Sequence, residues 1–465
     1  MITDTQAIGG RLQDQRWFGY KGRTISGIEL VDEATIDDGP PALVIALIRV
    51  VMEGGSVLFQ LPLLVEADGS NREATEDPER LRIFGDLMAH GDSIKGASGV
   101  FHFGGPGLDP MAPAPGHGSV RVVGAEQSNT SIVLDEEVIL KFFRKLDLGP
   151  NPDLELNRLL TSEGFDNIPS QVGEVTYEGE IDGAEATIDL GIAQQLISDG
   201  TEGWTYLLQA LHRFYDEVDA ADIPEDRTFL TEERARESLD ALDDLGDVTA
   251  SLHVALSRDE SNPDLAPEAM TASDLDELVA RIRASLTDLP ATALKGVARI
   301  LKDLGSIEDA GTRIRVHGDY HLGQVLKSGR GWMILDFEGE PLRPLEERRA
   351  KLSPLKDVAG MLRSFSYVAT AALFERTEPD SEEWERLAPW GDVWEDLARD
   401  RFLTAYLTRA HEGRFLPVER EGLGTLLDAF EIEKALYELE YEKGHRPDWI
   451  RIPERGIVRV AERVR

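Results

Sequence analysis

The residues best suited to chemistry in this sequence lie in one short segment, from His317 to Glu338. It contains Asp319, an amide side chain at Gln324 and, after an apolar stretch, a second carboxylate at Asp336. This order is typical of phosphoryl transfer. There the first aspartate accepts the proton of the attacking hydroxyl, and the amide oxygen and second carboxylate hold magnesium against nucleotide phosphates. We therefore predict Asp319 as catalytic base and Gln324 and Asp336 as ligands of Mg2+, an ion that prefers hard oxygen donors. The structural alternative is a β-hairpin with a carboxylate at each end.

A lysine in an apolar strand is the candidate cation for the nucleotide phosphates. Lys141 lies within Val138–Phe143, and an unpaired lysine is costly to bury there. Glu155, on the helix predicted to follow, would pair with it, as the strand lysine and helix glutamate do in kinases. The alternative is an edge-strand lysine whose ammonium reaches water along its flexible stem.

The segment from Gly124 to Ser131 stands where a protein kinase has its glycine-rich loop. Its residues Ser128, Asn129 and Thr130 could turn over the phosphates and offer backbone N–H groups and hydroxyls. The signal is weak, because hairpins rich in Ser and Asn are common turns. A protein kinase is disfavoured, since DFG is replaced by Asp-Phe-Glu at 336–338 and no APE segment follows.

Composition excludes several other classes of protein. The 465 residues, 41% hydrophobic and 29% charged, fit a globular chain of about three domains or lobes. With no cysteine, disulfides, thiolate catalysis, Cys-type zinc sites and iron–sulfur clusters are excluded. The net charge of −38 would repel nucleic acids and anionic membrane surfaces, so neither is an expected partner. No apolar run reaches the roughly 18–20 residues of a membrane span, and no secretory signal is visible, so we expect a cytoplasmic protein.

These residues need a β-rich first half and a mostly helical second half to position them. The pattern predicts a short helix over Gly10–Phe18, apolar strands over 42–48 and 56–62, and a Gly/Pro-rich connection over 99–118. Helical periodicity dominates from Trp204, with one β-rich island at 314–337. This outline implies two lobes.

At these residues the sequence resembles a known family. His317–Gln324 reads HGDYHLGQ and is similar to the HGDxHxxN/Q signature of aminoglycoside-phosphotransferase-like kinases. The fuller resemblance is to maltokinases, actinobacterial enzymes that make maltose 1-phosphate. It spans nearly the whole chain and is carried by blocks at 15–18, 126–131, 317–324, 336–341, 357–365, 437–442 and 446–447.

The resemblance implies an α+β, bilobal protein-kinase-like fold. Its β-rich N-lobe would carry an extra N-terminal cap subdomain at 1–97, followed by an intermediate N-lobe subdomain at 98–200 and a helical C-lobe at 201–465. ATP would bind between the lobes, with a hinge at Gln194, Gln195 and Leu196, and Mg2+ at Gln324 and Asp336. Trehalose synthase is an implied non-covalent partner.

The resemblance also implies which residues bind the sugar: His321, Glu338, Tyr437, Glu438 and Tyr441. The two tyrosines are four residues apart on a predicted helix, so core packing is the alternative for them. His317 is interpreted as a structural residue that ties the catalytic loop to neighbouring backbone. Arg343 and Arg363 could reach phosphate, orient a carboxylate or form structural ion pairs.

Three functions stay open on the sequence alone. The first is an ATP-dependent maltokinase, and the second is a kinase of another sugar on the same scaffold, such as glucosamine or another aminosugar. The third is a non-catalytic regulator of trehalose synthase. Intact Asp319, Gln324, Asp336 and Lys141 argue against the regulator.

Overall fold

The computed structural model describes residues 2, 5–104, 119–124, 128–219, 226–286, 289–340 and 343–463. The chain forms two compact units. The first comprises 1–161 and 169–198, and the second comprises 162–168 and 199–465. Most of the connection expected at 99–118 lies outside the described residues, and so do Glu126 and Gln127 of the candidate phosphate turn.

The first unit is built mainly from antiparallel strands. Its helices are α1 Thr5–Leu12, α2 Ile83–His90 and α3 Pro152–Ser162, and two short 3-10 helices cover Ala74–Glu76 and Pro78–Arg82. Its strands are β1 Ile25–Asp37, β2 Ala42–Met52, β3 Gly55–Val65, β4 Asn71–Glu73, β5 Ser93–Lys95, β6 Gly99–Phe103, β7 Val120–Val122, β8 Thr130–Leu134, β9 Val138–Phe142, β10 Lys145–Leu146, β11 Gln171–Ile181 and β12 Ala184–Gln195.

The strands of the first unit form two sheets. One has the order β1-β2-β3-β10, with β4 paired to β3, and the other has the order β5-β6-β11-β12-β9-β8-β7. Strand β2 is buried on both faces, which explains its unbroken apolar run. Leu43, Ile45 and Leu47 point into a core shared with the second sheet, whereas Val44 and Ile48 pack in a separate cluster with α1 and the aromatic block at 17–18.

The second unit is mostly helical. Its helices are α4 Gly203–Asp219, α5 Arg227–Arg234, α6 Arg236–Leu256, α7 Ala272–Ser285, α8 Ala291–Leu304, α9 Leu345–Arg348, α10 Leu355–Phe374, α11 Glu382–Ala410, α12 Arg420–His445 and α13 Arg451–Arg463. Its strands are β13 Thr201–Glu202, β14 Glu268–Ala269, β15 Thr312–Arg313, β16 Val325–Ser328 and β17 Gly331–Ile334, and 3-10 turns cover Leu322–Gln324 and Pro447–Trp449.

Helix α10 runs through the core of this unit, because nearly all of its side chains are buried. The β16–β17 hairpin is anchored by Trp332, which is fully buried and donates its indole N–H to the carbonyl of Ala241 in α6 at 2.6 Å. Residues 162–168 belong to the second unit because Asn167 is hydrogen-bonded to β17. The side-chain amide of Asn167 donates to the carbonyl of Trp332, and its backbone carbonyl accepts from the N–H of Ile334, both at 2.8 Å.

The predicted α+β class, with a β-sheet region followed by a helical region and an embedded hairpin, is confirmed. Regions 1–97 and 98–200, which we expected as separate subdomains, fall mostly within the first unit. The helix expected at Gly10–Phe18 is instead α1, Thr5–Leu12, and Trp17 and Phe18 follow it as buried non-helical residues. Within the described ranges, no helix is both long and apolar enough to cross a lipid bilayer.

Candidate active site

The β16–β17 hairpin brings the two predicted metal ligands to one end of the same motif. Gln324 immediately precedes β16 and Asp336 closely follows β17, and antiparallel pairing of Val325 with Ile334 places these flanks side by side. The N–H of Leu335 donates to the carbonyl of Gln324 at 2.9 Å and closes the pair. The donors are one amide oxygen and one carboxylate, which fits the oxygen-ligand preference of Mg2+.

Asp336 has a backbone conformation that side chains other than glycine rarely adopt. Its φ is +64°, in the left-handed region. Such conformations cost free energy and persist where the surrounding structure imposes them, often at functional sites. Gly318 lies in the predicted catalytic loop, residues 317–324, and its backbone is in the same region with φ +86°. A Cβ added there would lie 3.3 Å from the Cα of Gly339. The hairpin flank and the loop therefore approach each other closely.

His317 has the structural role that we expected from the sequence. Its ring is buried and Nε2 donates to the carbonyl of Leu335 at 2.8 Å, while Nδ1 accepts from the N–H of Asp319 at 3.4 Å. One imidazole thus ties the backbone of Asp319, the predicted catalytic base, to the end of β17.

Asp357, in the first turn of α10, fixes the backbone of the catalytic loop. Its carboxylate accepts from the N–H groups of His317 at 2.8 Å and Gly318 at 2.9 Å, and from His253 Nε2 at 3.1 Å. Burial opposes its ionisation, but the hydrogen bond from His253 and that from Gly318 outweigh burial and lower the pKa of Asp357. The loop is therefore held by a carboxylate that stays charged.

Asp319 itself is contacted more loosely. Lys434 Nζ on α12 lies 3.7 Å from its Oδ1, and His321 Nε2 lies 4.0 Å from its Oδ2. Burial lowers the pKa of His321 in spite of the nearby carboxylate, and its Nδ1 accepts from the N–H of Gly323 at 3.0 Å, so the neutral ring carries its proton on Nε2. The predicted base therefore faces one cation and one neutral N–H donor.

The predicted sugar residues on α12 divide into one buried carboxylate and two exposed rings. Glu438 accepts from Arg363 Nε at 2.9 Å, and both side chains are largely buried. Tyr437 and Tyr441 are each 45% exposed, so they are not core residues of α12. Arg363 is thus a carboxylate partner, which settles one of the roles left open for it.

Two further residues named in the sequence analysis, Glu338 and Arg343, follow β17 along the chain. Glu338 is buried, and its carbonyl accepts from Arg348 Nη1 at 3.2 Å. Arg343 forms a partly exposed ion pair with Glu340 at 3.0 Å.

In the first unit, Lys141 is paired with a carboxylate that the sequence analysis did not name. Its Nζ lies 3.1 Å from Asp153 Oδ2 in the first turn of α3. Asn157, fully buried one turn later, donates to Asp153 and accepts from the amide of Gln194 at 2.9 Å. The lysine thus belongs to a polar chain that reaches the predicted hinge, and Glu155 stays a prediction.

The predicted hinge forms the end of β12. The N–H of Gln195 donates to the carbonyl of Ser170 at 2.9 Å, and the N–H of Leu196 donates to the carbonyl of Glu137 at 2.7 Å. These two donors are engaged within the first unit, so a nucleotide base would need other groups of this segment.

The candidate phosphate turn is anchored by a buried arginine. Arg144 Nε donates to the hydroxyl of Thr130 at 2.8 Å, and the backbone N–H of Arg144 donates to Asn129 Oδ1 at 3.4 Å. The same guanidinium pairs with Glu73 at 3.0 Å and lies 4.8 Å from the centre of the Trp17 ring. Asn129 Nδ2 donates to Ser128 Oγ at 3.2 Å, which ties the described part of the turn together.

Sequence reasoning missed Asp153, Arg144, Asp357 and Lys434. Signals for two of them were present. Asp357 opens the family-like block 357–365, and Lys434 precedes Glu438 by one helical turn, so both side chains share a face. Asp153 and Arg144 carry no local signal that separates them from other charged residues.

Two protein families match this chain. Residues 12–81 match the maltokinase N-terminal cap domain, and residues 217–415 match the phosphotransferase enzyme family. The second match contains the whole segment from His317 to Glu338. This chain is a phosphotransferase of the aminoglycoside-phosphotransferase-like superfamily. It is an enzyme that transfers a phosphoryl group to a hydroxyl, and its first unit carries a maltokinase-type cap.

Relatives of this phosphotransferase include two proteins named glucosamine kinase. One, from Mycolicibacterium smegmatis, is 27% identical over 413 residues, which cover 81% of this chain and 94% of the relative. The other, from Streptacidiphilus jiangxiensis, is 24% identical over 420 residues, which cover 88% and 87%. A solved glucosamine kinase in complex with glucosamine, ADP and inorganic phosphate has a TM-score of 0.69 and 19% identity, with 99% of this chain and 100% of that chain covered. This likeness confirms the predicted kinase-like fold.

Proposed function

We propose that this phosphotransferase uses ATP and Mg2+ to phosphorylate the anomeric hydroxyl of maltose, giving maltose 1-phosphate. The observation that carries the proposal is the geometry of the catalytic loop. Asp319 follows a backbone fixed by His317 and Asp357, and Gln324 and Asp336 flank one end of the adjoining hairpin.

In this reaction Asp319 accepts the proton of the sugar hydroxyl while the hydroxyl oxygen forms a bond to the γ-phosphorus. The bond between the γ-phosphorus and the bridging oxygen of the β-phosphate breaks, which releases ADP. Gln324 and Asp336 would hold Mg2+, which when bound neutralises phosphate charge. Lys141, paired with Asp153, would contact the phosphates. Because phosphoryl transfer depends mostly on positioning and electrostatics, the rigid support of the loop is what the reaction requires.

Two features support maltose as the acceptor. The maltokinase-type cap occupies residues 12–81. On α12, the exposed rings of Tyr437 and Tyr441 flank Glu438, and a sugar site needs an aromatic face for ring C–H groups together with carboxylates for hydroxyls. His321 and Glu338 complete the proposed acceptor residues.

Glucosamine is the second candidate acceptor. It is favoured by the names of the two relatives, which cover most of this chain. Association with trehalose synthase is a separate prediction from the family resemblance, and co-elution of the two purified proteins tests it.

The test of the proposed function is ADP release with ATP and Mg2+ across maltose, glucose, glucosamine, trehalose and an aminoglycoside. We expect turnover with maltose and a product that no longer reduces, since phosphorylation at the anomeric carbon blocks ring opening. Turnover with glucosamine alone would support the sugar-kinase activity and overturn the proposal that maltose is the acceptor.

The variant Asp319→Asn tests the chemistry itself. We expect it to lower kcat by about 10²–10⁴-fold, the range for loss of a general base, while ATP binding is retained. Asp276→Asn, at an exposed position of α7, is the matched control and should leave kcat unchanged. A D319N protein with near-normal turnover would exclude Asp319 as the base.

A further inference from the structure

The position of Lys434 bears on which acceptor this enzyme takes. We propose that Lys434 is a specificity-determining residue that makes the acceptor side of Asp319 select neutral sugars and reject aminosugars. The proposal rests on the proposed sugar-kinase function and deepens it by naming the chemical class of the acceptor.

The geometry places Lys434 where an acceptor must approach. Its Nζ is 3.7 Å from Asp319 Oδ1, and it lies 5.3 Å from the centre of the Tyr437 ring. Glu438 is one helical turn further along α12, so the same face of the helix carries the cation, the exposed ring and the buried carboxylate. A sugar that presents its hydroxyl to Asp319 therefore comes within contact distance of this ammonium.

Lys434 remains charged in this environment. Burial favours the neutral amine, but the carboxylates of Asp319, Glu438 and Glu340 outweigh burial and raise the pKa of Lys434. Its three N–H donors can serve sugar oxygens, and it has no acceptor to offer an ammonium group.

Each of the three carboxylates that raise the pKa of Lys434 lies beside a cation. Glu438 pairs with Arg363 at 2.9 Å and Glu340 with Arg343 at 3.0 Å, while Asp319 faces Lys434. To pair with any of these three carboxylates, the ammonium of an aminosugar would have to displace a resident cation. Like-charge repulsion of this kind is a recognised way to reject a competing ligand.

Neutral sugars meet no such penalty. Their hydroxyls can accept from Lys434 and donate to Asp319 at the same time, which also helps to orient the attacking oxygen. The arrangement therefore favours a neutral sugar such as maltose over glucosamine, although the relatives named above are glucosamine kinases.

Glucose and glucosamine are the matched probes, because they differ at one position in carrying a hydroxyl or an ammonium. The ratio of kcat/KM for glucose to that for glucosamine is measured for the wild type, Lys434→Met and Lys434→Arg. We expect a ratio well above one for the wild type, a fall of about 10–100-fold in Lys434→Met, and retention in Lys434→Arg, which keeps the charge. Lys443→Met, on the same helix and paired with Glu440, is the control that should leave the ratio unchanged.

Three outcomes would overturn the proposal. One is a wild-type preference for glucosamine over glucose, and another is an unchanged ratio in Lys434→Met. The third is an equal loss of activity with both sugars in Lys434→Met, restored in Lys434→Arg, which would make Lys434 a general catalytic group rather than a selector. Circular dichroism and thermal unfolding verify that each variant is folded.

The result is separable from the proposed maltose activity. A wild type that ignores maltose but prefers glucose over glucosamine would overturn maltose as the substrate and support the role of Lys434. If neither probe is turned over, calorimetric titration of both sugars in the presence of ADP and Mg2+ gives the same ratio from binding. Equal affinity in the wild type would then count against the proposal.

Discussion

The contacts of two aspartates in the second unit differ in a way that suits a structural role for Asp357 and the predicted chemical role for Asp319. Asp357 is almost fully buried and accepts hydrogen bonds at 2.8, 2.9 and 3.1 Å. Asp319 keeps 24% of its side chain exposed, and its neighbours, the Lys434 ammonium and the neutral His321 ring, lie at 3.7 and 4.0 Å. A carboxylate with short, saturated contacts is suited to holding backbone. One with long contacts can still accept a proton from a substrate.

Arg363 and Arg343 allow a matched prediction at this scale. Arg363→Met leaves Glu438 buried without its cation, and breaking such a pair costs about 3–5 kcal/mol. We expect a clear fall in apparent Tm and a raised KM for the sugar, because Glu438 loses its orientation. Arg343→Met removes a half-exposed pair and should change Tm little, since exposed pairs contribute about 0–1 kcal/mol.

Thermal unfolding and sugar KM check this prediction. The double variant Arg363→Met/Glu438→Gln should recover part of the lost stability, because it buries no unpaired charge. Equal Tm values for Arg363→Met and Arg343→Met would show that the buried ion pair contributes no more to stability than the exposed one.

The sequence shows the spacing of the candidate site residues but not their contacts with other elements. Asp319, Gln324 and Asp336 share one segment, so their spacing was visible, and His317 was correctly interpreted as structural. The contacts of Asp319 with Lys434 and of His317 with Asp357 join different elements. Only the packing of α10 and α12 around the loop brings them together, and a local pattern does not show that packing.

At the scale of elements, the catalytic loop depends on how closely α10 approaches it. Gly360 lies in the middle of α10, and an added Cβ there would be 2.6 Å from the carbonyl oxygen of Tyr320, the residue after Asp319. Carbon and oxygen atoms do not approach so closely without a shift of backbone. The absence of a side chain at Gly360 therefore sets the position of the loop.

Gly360→Ala should displace the loop and lower kcat by about 10²-fold, which is the scale of effect for a misplacement of 1 Å at a reacting group. Gly424→Ala is the matched control in α12, because nothing lies within 4 Å of its added Cβ. There the substitution should leave kcat unchanged and raise stability by about 0.4–1 kcal/mol. Steady-state kinetics and Tm of both variants check this pair, and a fully active G360A enzyme would contradict the close-approach argument.

Element boundaries show where sequence patterns failed. The strands expected at 42–48 and 56–62 lie inside β2 and β3, because unbroken apolar runs bounded by glycine and proline are strong signals. The N-terminal helix was placed too late in the chain. Its two adjacent glycines, Gly9 and Gly10, disfavour a helix by propensity. Burial of Ile8 and Leu12 in the apolar cluster with Trp17 and Phe18 overrides that preference.

At the scale of the whole molecule, charge is the dominant feature. The chain has 87 acidic and 49 basic residues, so the acidic charges exceed the basic ones by 38. Many arginines of the described residues do pair with acids, as the bridges from Arg399, Arg409 and Arg463 show. The surplus must be borne by the surface, where like charges repel each other and oppose the compact state.

This imbalance decides how salt should act on stability. Added salt screens both the attractive ion pairs and the repulsion among surplus carboxylates, and the Debye length falls from about 30 Å at 0.01 M to about 3 Å at 1 M. Because repulsion extends over the whole surface and each exposed pair contributes little, screening should raise the apparent Tm by several degrees between these limits. Differential scanning calorimetry in NaCl measures the effect. Repeating the series near pH 4, where carboxylates begin to take up protons, should shrink it, and a Tm that falls with salt at neutral pH would show that ion pairs outweigh the repulsion.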